Sequence, residues 1–496
     1  MFFRALIIVH FASMAGLALY GLHRLWMLVC WHIERGKPAP AHSPQPIAPA
    51  DLPHVTVQLP LYNERFVAAR LMDAVAQLDW PRDRFEIQVL DDSTDDTRHI
   101  VDERAEHWRG KGIDIRVIRR ENRKGYKAGA LENGLSLAKG DFIAVFDADF
   151  VPSKDFLPSI IPCFADPRIG MAQARWDFLN SNHSWISNIQ SLLLGPHFSI
   201  EHLVRFRRGL FFNFNGTAGV WRKKAIFSSG GWQHDTVTED LDLSYRAQLA
   251  GWRFVYLDDV TVPSELPVTL AAFRSQQQRW AKGSIQTARK ILPRLLLSPL
   301  PLSVKLESVA HLLSNLGWFL CALLALTIYP TIQWRVDIGP YQLLRLDVPL
   351  ILCTSVAMII YFSSYALNRK SSAGSFLPLL LLPVLSIGMA PYIALSVLNG
   401  ALRHGGIFVR TPKFGICGSD RLPSLAFIYQ QRELMYLALS AALFAYSLLP
   451  LHFAWQRETW LALPFLGMFP LGFFIVLAIE FIEVVKQLVP GTQEPA

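Results

Sequence analysis

The stretch Asp141-Phe-Ile-Ala-Val-Phe-Asp-Ala-Asp149 is an apolar run that ends in two carboxylates separated by one residue. In a β-strand, successive side chains point to opposite faces, so we expect Asp147 and Asp149 on the same face. Two carboxylates placed in this way can bind one divalent cation, Mg²⁺ or Mn²⁺, together with a diphosphate. The stretch therefore predicts a strand that ends in a metal site.

Three earlier segments also have the composition of strands, and helical stretches separate them: Val55–Leu59, Glu86–Leu90 and Ile113–Ile118. This alternation, which continues to about residue 260, predicts an α/β domain with a largely parallel sheet. Polar motifs follow three of the strands, at 60–64, 91–97 and 147–149. Ligands bind beyond the carboxyl ends of strands in such sheets, so we expect these motifs to share one ligand site.

The composition predicts a membrane protein. The 496 residues are 51% hydrophobic, with a mean hydropathy of +0.26. The net charge is +8, but the basic residues lie beside apolar segments, as expected for a protein at a membrane surface and not for one that binds nucleic acid. The five cysteines are scattered without a Cys-x-x-Cys pair, which indicates neither a disulfide framework nor a zinc site.

Six apolar stretches approach the roughly 20 residues that span a bilayer: about 5–22, 309–330, 348–367, 376–401, 433–454 and 460–483. We interpret the first as an uncleaved anchor because basic residues follow it. The stretch 376–401 contains three prolines and a glycine, which predict a broken interfacial or re-entrant helix and leave about five crossings. Five crossings place the basic loop 403–413 on the side of the α/β domain. Segments 182–206 and 268–292 have the pattern of interfacial helices.

The segment 91–97, Asp-Asp-Ser-Thr-Asp-Asp-Thr, can contribute to a nucleotide site. Asp91 or Asp92 would accept a hydrogen bond from a nucleobase or ribose, with Tyr62 stacking on the base and Glu64 nearby. The alternative is that the segment only caps the helix that follows it.

The segment 123–131, Arg-Lys-Gly-Tyr-Lys-Ala-Gly-Ala-Leu, is a small basic loop at the start of a helix. Lys127 can meet the nucleotide there, while Gly125 and Gly129 allow close approach. The alternative is a solvated basic turn.

Two later motifs add the elements of a transfer reaction. In Thr238-Glu-Asp240, Asp240 is the candidate general base and Glu239 would orient it or contact the acceptor. Acids at the start of a helix also favour its dipole, which is the purely structural alternative. In 276–280, Gln-Gln-Gln-Arg-Trp, Arg279 can meet a leaving diphosphate and Trp280 can stack on a sugar. An interfacial Trp beside a snorkelling Arg is the alternative.

Together these motifs resemble the inverting, processive, membrane-embedded family 2 glycosyltransferases, which include cellulose, hyaluronan and chitin synthases. The stretch Phe214-Asn-Gly-Thr-Ala-Gly-Val-Trp-Arg222 is most similar to plant cellulose-synthase-like mannan and xyloglucan-backbone synthases and their bacterial relatives. The segments 173–176 and 264–267 share this similarity. The resemblance implies a glycosyltransferase A-type domain inserted between transmembrane helices.

Carried over by position, the resemblance implies Asp92 and Lys127 at the nucleotide, and Asp147 and Asp149 at a Mg²⁺ or Mn²⁺ diphosphate site. It also implies Asp240 as the base. An acceptor and diphosphate platform would consist of Gln276, Arg279 and Trp280.

The segment 408–415, Phe-Val-Arg-Thr-Pro-Lys-Phe-Gly, resembles the cellulose synthase gating loop, Phe-x-Val-Thr-x-Lys. Phe408, Thr411 and Lys413 match, whereas Arg410 replaces the valine of the family. Extra N-terminal spans and a cyclic-dinucleotide-binding domain are not expected, because the chain has no stretches for them.

The expected organisation is a transmembrane anchor at 1–35, a Pro-rich linker at 36–53 and a cytosolic glycosyltransferase domain with interfacial helices at 54–300. A transmembrane channel region follows at 301–485 with a gating-like loop at 403–418, and a short tail at 486–496. The expected activity is polymerisation of hexose from UDP-glucose or GDP-mannose into a β-linked polysaccharide that crosses the cell membrane. The alternatives are transfer to a membrane lipid and, more distantly, a non-catalytic transporter or scaffold.

Overall fold

The computed structural model describes residues 2–37, 51–368, 377–407, 409–418 and 433–488. Most of the predicted linker, the tail beyond residue 488 and Phe408 lie outside the described residues. The elements divide into an α/β domain and a set of long apolar helices on either side of it in the sequence.

The α/β domain is built on one seven-stranded mixed sheet with the order β3-β2-β1-β4-β6-β5-β7. The strands are β1 Val55–Leu61, β2 Phe85–Asp91, β3 Asp114–Ile118, β4 Phe142–Val145, β5 Ile169–Phe178, β6 Gly219–Arg222 and β7 Arg253–Ser264. β6 runs antiparallel to both of its neighbours, and every other pairing is parallel. The four predicted strands are confirmed, and β5 to β7 complete the sheet.

Helices cover the sheet and bury its apolar side chains. They are α2 Ala68–Ala76, α3 Thr97–Gly110, α4 Tyr126–Leu137, α5 Phe156–Ile160, α6 Trp185–Pro196, α7 Leu203–Arg207, α8 Lys223–Ser228, α9 Glu239–Leu249 and α10 Leu270–Leu297. Every residue of β2 is buried, as expected for a strand that is covered on both faces. A π-helical turn, His197–His202, joins α6 to α7.

The apolar helices outside the α/β domain are α1 Phe2–Glu34, α11 Leu302–Leu312, α12 Leu316–Asp337, α13 Pro340–Ile351, α14 Ala357–Asn368, α15 Leu377–Leu402, α16 Glu433–Gln456 and α17 Leu463–Leu488. By length and hydropathy, five helices within the described ranges could cross a membrane: Phe3–Glu34, Arg345–Asn368, Leu377–Leu402, Leu434–Gln456 and Leu463–Val485. The pair formed by α11 and α12, bent by 55°, would add a sixth. These helices fit a multi-pass membrane protein.

The prediction that segment 376–401 breaks is wrong, because α15 runs as one helix from Leu377 to Leu402. Pro378 lies in its first turn, where its missing N–H costs no hydrogen bond. Pro383 and Pro391 lie further inside the helix. Packing against α10, α12 and α17 holds the helix together around them, as neighbouring helices do for prolines in membrane proteins.

The helices α1, α12 and α14 each have one end beside the α/β domain. The Nη1 atom of Arg207 donates to the carbonyl of Glu34 at the end of α1, over 2.6 Å. Arg35, one residue beyond, donates to Asn368 Oδ1 at the end of α14. Asn315, just before α12, donates to Ser284 Oγ of α10 over 2.9 Å. The ends of α1 and α14 and the start of α12 therefore lie at the same level beside this domain.

Helices α16 and α17 also contact α10. The guanidinium of Arg274 lies 4.0 Å from the centre of the Tyr436 ring, at the start of α16. The N–H of Leu270 donates to Glu483 Oε1 near the end of α17. Helix α10 therefore joins the α/β domain to the apolar helices.

Candidate active site

The carboxyl ends of β1, β2 and β4 open onto one cleft, the position in which α/β sheets bind ligands. Most of the residues predicted from the sequence line this cleft. They are Tyr62, Glu64, Asp92, Lys127, Asp147, Asp149, Glu239, Asp240, Gln276, Arg279, Trp280, Thr411 and Lys413. The cleft thus gathers motifs that are up to 351 residues apart in the sequence (Tyr62 to Lys413).

Asp91 is the exception among the described candidates. Its side chain is buried in the protein, where Oδ1 accepts from the N–H of Ser93 and Oδ2 accepts from Nε of Arg119 over 2.8 Å. Oδ1 therefore stabilises the turn after β2, and Oδ2 links this turn to the residue that follows β3. The expectation that Asp91 meets the nucleotide does not fit this arrangement, whereas Asp92 remains in the cleft.

Tyr62, Asp92 and Arg123 line one end of the cleft, and Arg120 supports Asp92 from behind. Arg120 donates to both carboxylate oxygens of Asp92, in a bidentate pair that holds this side chain in place. The guanidinium of Arg123 lies 3.2 Å from the centre of the Tyr62 ring. A planar ring that stacked on this face of Tyr62 would therefore displace Arg123 or stack on it.

The acidic pair lies in a turn and not in a strand. β4 ends at Val145, and the N–H of Phe150 donates to the carbonyl of Asp147 across the turn. The shared orientation expected from strand alternation is therefore produced by this turn. The Nζ atom of Lys127 donates to Asp147 Oδ1 and, over 2.9 Å, to the carbonyl of Gly216. Burial lowers the pKa of Lys127, but Asp147 and the nearby acids raise it more, so the ammonium stays charged.

Glu239 and Asp240 begin helix α9, where the helix dipole favours negative charge. Burial and the charge of Glu239 nevertheless raise the pKa of Asp240 to about 7, although Lys127 opposes the shift. Gly216 has a φ of +80°, and a Cβ at this position would lie 2.9 Å from Asp240 Oδ2. The glycine therefore allows the close approach of the two segments. A carboxyl with this pKa can accept a proton near neutral pH.

Helix α10 packs on the turn that leads into Glu239 and Asp240 and holds it in place. Gln286 accepts from the N–H of Val237 over 3.1 Å and donates to the carbonyls of Arg403 and Gly405. A Cβ on Gly283 would lie 2.3 Å from Thr238 Cγ2, so the helix packs directly on the turn. The same helix carries the three cleft residues of the 276–280 motif.

The loop after α15 lies in the cleft. Arg410 donates to both carboxylate oxygens of Glu64 over 2.7 and 2.8 Å, and Lys413 donates to Asp149 Oδ2 over 2.7 Å. The carboxylate of Glu265 accepts from the N–H groups of Phe414 and Gly415, over 2.9 Å each. Arg410, the residue that departs from the family pattern, therefore contributes an ion pair that attaches the loop to the cleft.

Asp147 and Asp149 supply hard oxygen ligands, which suit Mg²⁺ or Mn²⁺. Among the described residues, no group of three or more His, Cys, Asp or Glu side chains is arranged to hold a metal ion by itself. A divalent ion at these two carboxylates would therefore take its remaining ligands from water or from the oxygens of a bound diphosphate. The ammonium groups of Lys127 and Lys413 already contact this pair, which shows that the position attracts positive charge.

Some residues of the cleft were not predicted as site residues. They include Arg123, Trp176, Phe178, Asn215, Gly216 and Glu265. Most of them lie in segments that carried the family resemblance, at 173–176, 214–222 and 264–267, and this resemblance was the available signal.

Residues 53–283 match the family described as "Glycosyltransferase like family 2". The chain is 46% identical over 264 residues to glucomannan 4-beta-mannosyltransferase 2 of Arabidopsis thaliana, covering 52% of this chain and 49% of that protein. It is 45% identical over 249 residues to glucomannan 4-beta-mannosyltransferase 1 of Cyamopsis tetragonoloba, covering 49% of this chain and 47% of that protein. The chain therefore spans about half the length of these curated relatives.

A mannosyltransferase from Pyrobaculum calidifontis, solved in complex with GDP-Man and Mn²⁺, has a similar structure with a TM-score of 0.51. The two chains are 19% identical, and the match covers 79% of this chain and 99% of the other. At this identity the likeness concerns the fold alone. Together with the sequence match, it confirms the predicted glycosyltransferase A-type domain.

Proposed function

Because residues 53–283 form a glycosyltransferase family 2 domain, we propose that this chain transfers hexose from a nucleotide sugar to a growing β-linked polysaccharide with inversion at the anomeric carbon. The observation that carries the proposal is the position of Asp240, in one cleft with Lys127, the 147–149 acidic turn and the 276–280 motif. A buried carboxyl with a pKa of about 7 beside a cationic diphosphate site suits a base that activates a hydroxyl.

The nucleotide would bind at the end of the cleft formed by Tyr62 and Asp92. The base would stack where Arg123 covers Tyr62, and Asp92 would accept a hydrogen bond from the base or ribose. Lys127 would contact the diphosphate, since its ammonium bonds to Asp147 in the 147–149 turn, next to the nucleotide end of the cleft. We assign these roles because the side chains line the cleft and because a diphosphate is negatively charged.

Asp147 and Asp149 would hold a divalent ion, Mg²⁺ or Mn²⁺, at the diphosphate. When bound, this ion supplies charge neutralisation of the leaving diphosphate. Lys127 and Arg279 add protein cations on the same side, because both lie near the acidic turn and Arg279 is electrostatically coupled to Glu239 and Asp147. Lys413 would leave Asp149 when the ion binds and pair with the diphosphate, so that the loop shields the site during transfer.

Asp240 would take the proton from the acceptor hydroxyl. The hydroxyl oxygen forms a bond to the anomeric carbon as the bond from that carbon to the diphosphate oxygen breaks, and the proton moves to the carboxylate. Attack from the side opposite the leaving group inverts the configuration, which gives a β-linkage from an α-linked donor. Trp280 would stack on the acceptor sugar and Gln276 would contact it. Glu239 would partly neutralise the charge of Lys127, whose Nζ lies 4.0 Å from Glu239 Oε1.

The names of the relatives, which specify mannosyl transfer in a 4-β linkage, support a choice of donor and product. GDP-mannose is therefore the first donor to test and UDP-glucose the second. The long helices α12 to α17 would carry the polymer across the cell membrane. The α/β domain would lie on the cytoplasmic side, where nucleotide sugars are made, and the 403–418 loop lies beside this domain.

The test is transfer by the purified, detergent- or nanodisc-embedded protein with a panel of nucleotide sugars in Mg²⁺ or Mn²⁺. We expect mannose or glucose to be incorporated, and linkage analysis to give 4-β bonds. Asp240→Asn should keep nucleotide binding but lower turnover by roughly 100-fold or more. If no nucleotide sugar supports transfer, or if Asp240→Asn turns over normally, the proposal is wrong.

A further inference from the structure

Three cations converge where helix α10 meets the end of α15, outside the cleft. They are Lys282 and Arg289, on one face of α10, and Arg403, the residue that follows α15. The Nη1 atom of Arg289 donates to the carbonyls of Gly400 and Arg403 over 3.2 and 3.5 Å. Burial and the charge of Arg403 lower the pKa of Lys282, so these two cations repel each other. We call the three residues the cation cluster.

The cation cluster has no acidic partner in the part of the chain that the structure describes. Two acids beside α10, Asp235 and Asp242, both pair with Lys290, over 2.8 and 2.9 Å. His404 does not supply a negative charge either, because its Nε2 atom accepts from Arg289 over 3.3 Å. Like charges that share a site without a counter-ion repel each other, and a bound anion removes this cost. The cluster therefore indicates an anion site.

Backbone contacts fix the geometry of the cation cluster. Gln286, which lies between the two cations of α10, donates to the carbonyls of Arg403 and Gly405 over 3.0 and 2.8 Å. A Cβ at Gly406 would collide with Lys282 Nζ, so the ammonium lies directly against the backbone that leaves α15. The cluster is therefore built on two segments that are bonded to each other, and it is not a set of independent surface side chains.

An exposed apolar stripe on α15 ends beside the cluster. The stripe consists of Leu395, Leu398 and Leu402, which share one face of the helix, and Leu402 is 78% exposed. Ile407, which is 77% exposed, follows Arg403 in the sequence. Helix α15 could cross a membrane, so this stripe would face acyl chains. Arg403 follows the stripe directly, at the level where lipid headgroups lie and where anionic lipids attract basic residues.

We propose that the cation cluster binds the phosphate of an anionic membrane phospholipid on the side of the α/β domain. Arg289 and Arg403 can donate to phosphate oxygens through their remaining N–H groups, and the ammonium of Lys282 adds a third charge. The acyl chains would lie along the apolar stripe of α15. A headgroup without a positive charge of its own suits three cations better than a zwitterionic headgroup does. The bound lipid would neutralise the cluster and hold the start of the 403–418 loop against α10. This site does not depend on the proposed transferase activity.

Lipid binding by the purified full-length protein in a neutral detergent tests the site. Phosphatidylglycerol and phosphatidylcholine with the same acyl chains are titrated separately, and the bound lipid is counted by native mass spectrometry. We expect the wild type to bind phosphatidylglycerol roughly 10-fold more tightly than phosphatidylcholine, because only the first headgroup has a net negative charge. Equal affinities for the two lipids would overturn the proposal.

Variants of the cluster locate the bound lipid. Lys282→Gln and Arg403→Gln each remove one cation, and we expect each to weaken phosphatidylglycerol binding roughly 3- to 10-fold. Arg403→Lys keeps the charge and should keep most of the affinity, which separates loss of charge from a disturbed fold. Lys224→Gln, at an exposed lysine of α8, is the matched control for the loss of one charge. Unchanged binding in both cluster Gln variants, or an equal loss in Lys224→Gln, would overturn the assignment.

Inorganic pyrophosphate distinguishes a lipid from a free phosphate as the ligand. It has the same charged oxygens but no acyl chains, so it lacks the contact with the apolar stripe. We expect phosphatidylglycerol to stay bound to the wild type in an excess of pyrophosphate, because exposed cations attract a free anion only weakly in water. Displacement of the lipid by pyrophosphate at equal concentration would show that the cluster recognises phosphate alone, and would overturn the assignment to a lipid.

Discussion

Lys413 Nζ lies 2.7 Å from Asp149 Oδ2, so a cation from the loop after α15 contacts the carboxylate predicted to bind a metal ion. The second cation of this loop, Arg410, makes a bidentate pair with Glu64. In this arrangement the loop and a divalent ion at the proposed site would compete for Asp149. Binding of the donor with its metal ion would release Lys413 and allow it to reach the diphosphate.

The competition predicts that Lys413→Ala strengthens Mn²⁺ binding in the absence of nucleotide. With the ammonium removed, we expect the Kd for Mn²⁺, measured by electron paramagnetic resonance, to fall by roughly 3- to 10-fold, as for the loss of one partly buried ion pair. Lys154→Ala, at an exposed lysine, is the control. Identical Mn²⁺ affinities in the wild type and Lys413→Ala would exclude the competition.

Asp149→Asn should abolish metal-dependent transfer, since an amide oxygen is a weaker ligand for a divalent ion than a carboxylate oxygen. We expect turnover to fall by roughly 100-fold or more and Mn²⁺ binding to weaken in parallel. The measurement is initial rate against Mn²⁺ and Mg²⁺ concentration. Full activity of the wild type in EDTA, or of Asp149→Asn in any buffer, would refute the metal assignment.

The pKa of Asp240 predicts the pH dependence of transfer. A base must be deprotonated to act, and its pKa is raised from 3.8 to about 7. Turnover should therefore rise with pH through about 7 and fall about tenfold for each pH unit below it. The profile of kcat/KM between pH 5.5 and 8.5 checks this, with nucleotide binding measured at each pH as the control. A flat profile across this range would contradict the assignment.

The four predicted strands could be found because each is a short run rich in apolar and β-branched residues, and a polar motif follows three of them. The turn of Asp147 and Asp149 could be located for the same reason. Asp91 and Asp92 could not be distinguished, because they are adjacent and only the turn after β2 decides which side chain faces the cleft. Both oxygens of Asp91 are bonded inside the protein, Oδ1 to the N–H of Ser93 in that turn and Oδ2 to Arg119 after β3.

Other features of the site and the fold could not be predicted, because they depend on contacts between residues that are distant in the sequence. Glu64 and Arg410 are 346 residues apart, and nothing in either segment indicates the pair. His202 and Asn215 are separated by 13 residues and a turn of the chain, so their hydrogen bond needs the fold. The prolines of α15 suggested a break because propensity describes an isolated helix, whereas packing on three neighbouring helices holds this one together.

Topology can be tested through Cys417, which is exposed and lies near the end of the loop. In a variant that lacks the other four cysteines, a membrane-impermeant maleimide should miss Cys417 in intact cells and label it in inside-out vesicles. Bound nucleotide should slow the labelling, because the loop would close over the site. Labelling from outside intact cells would place the α/β domain on the wrong side of the membrane for a cytosolic donor.

The most direct test of the central claim is the size and solubility of the product made by purified protein from radiolabelled GDP-mannose or UDP-glucose. We predict a ladder of polymer lengths that an endo-β-1,4-mannanase or an endo-β-1,4-glucanase degrades. The Asp240→Asn variant should not make this polymer. A single product that extracts into organic solvent and resists both enzymes would show transfer to a membrane lipid, and would contradict polymer synthesis.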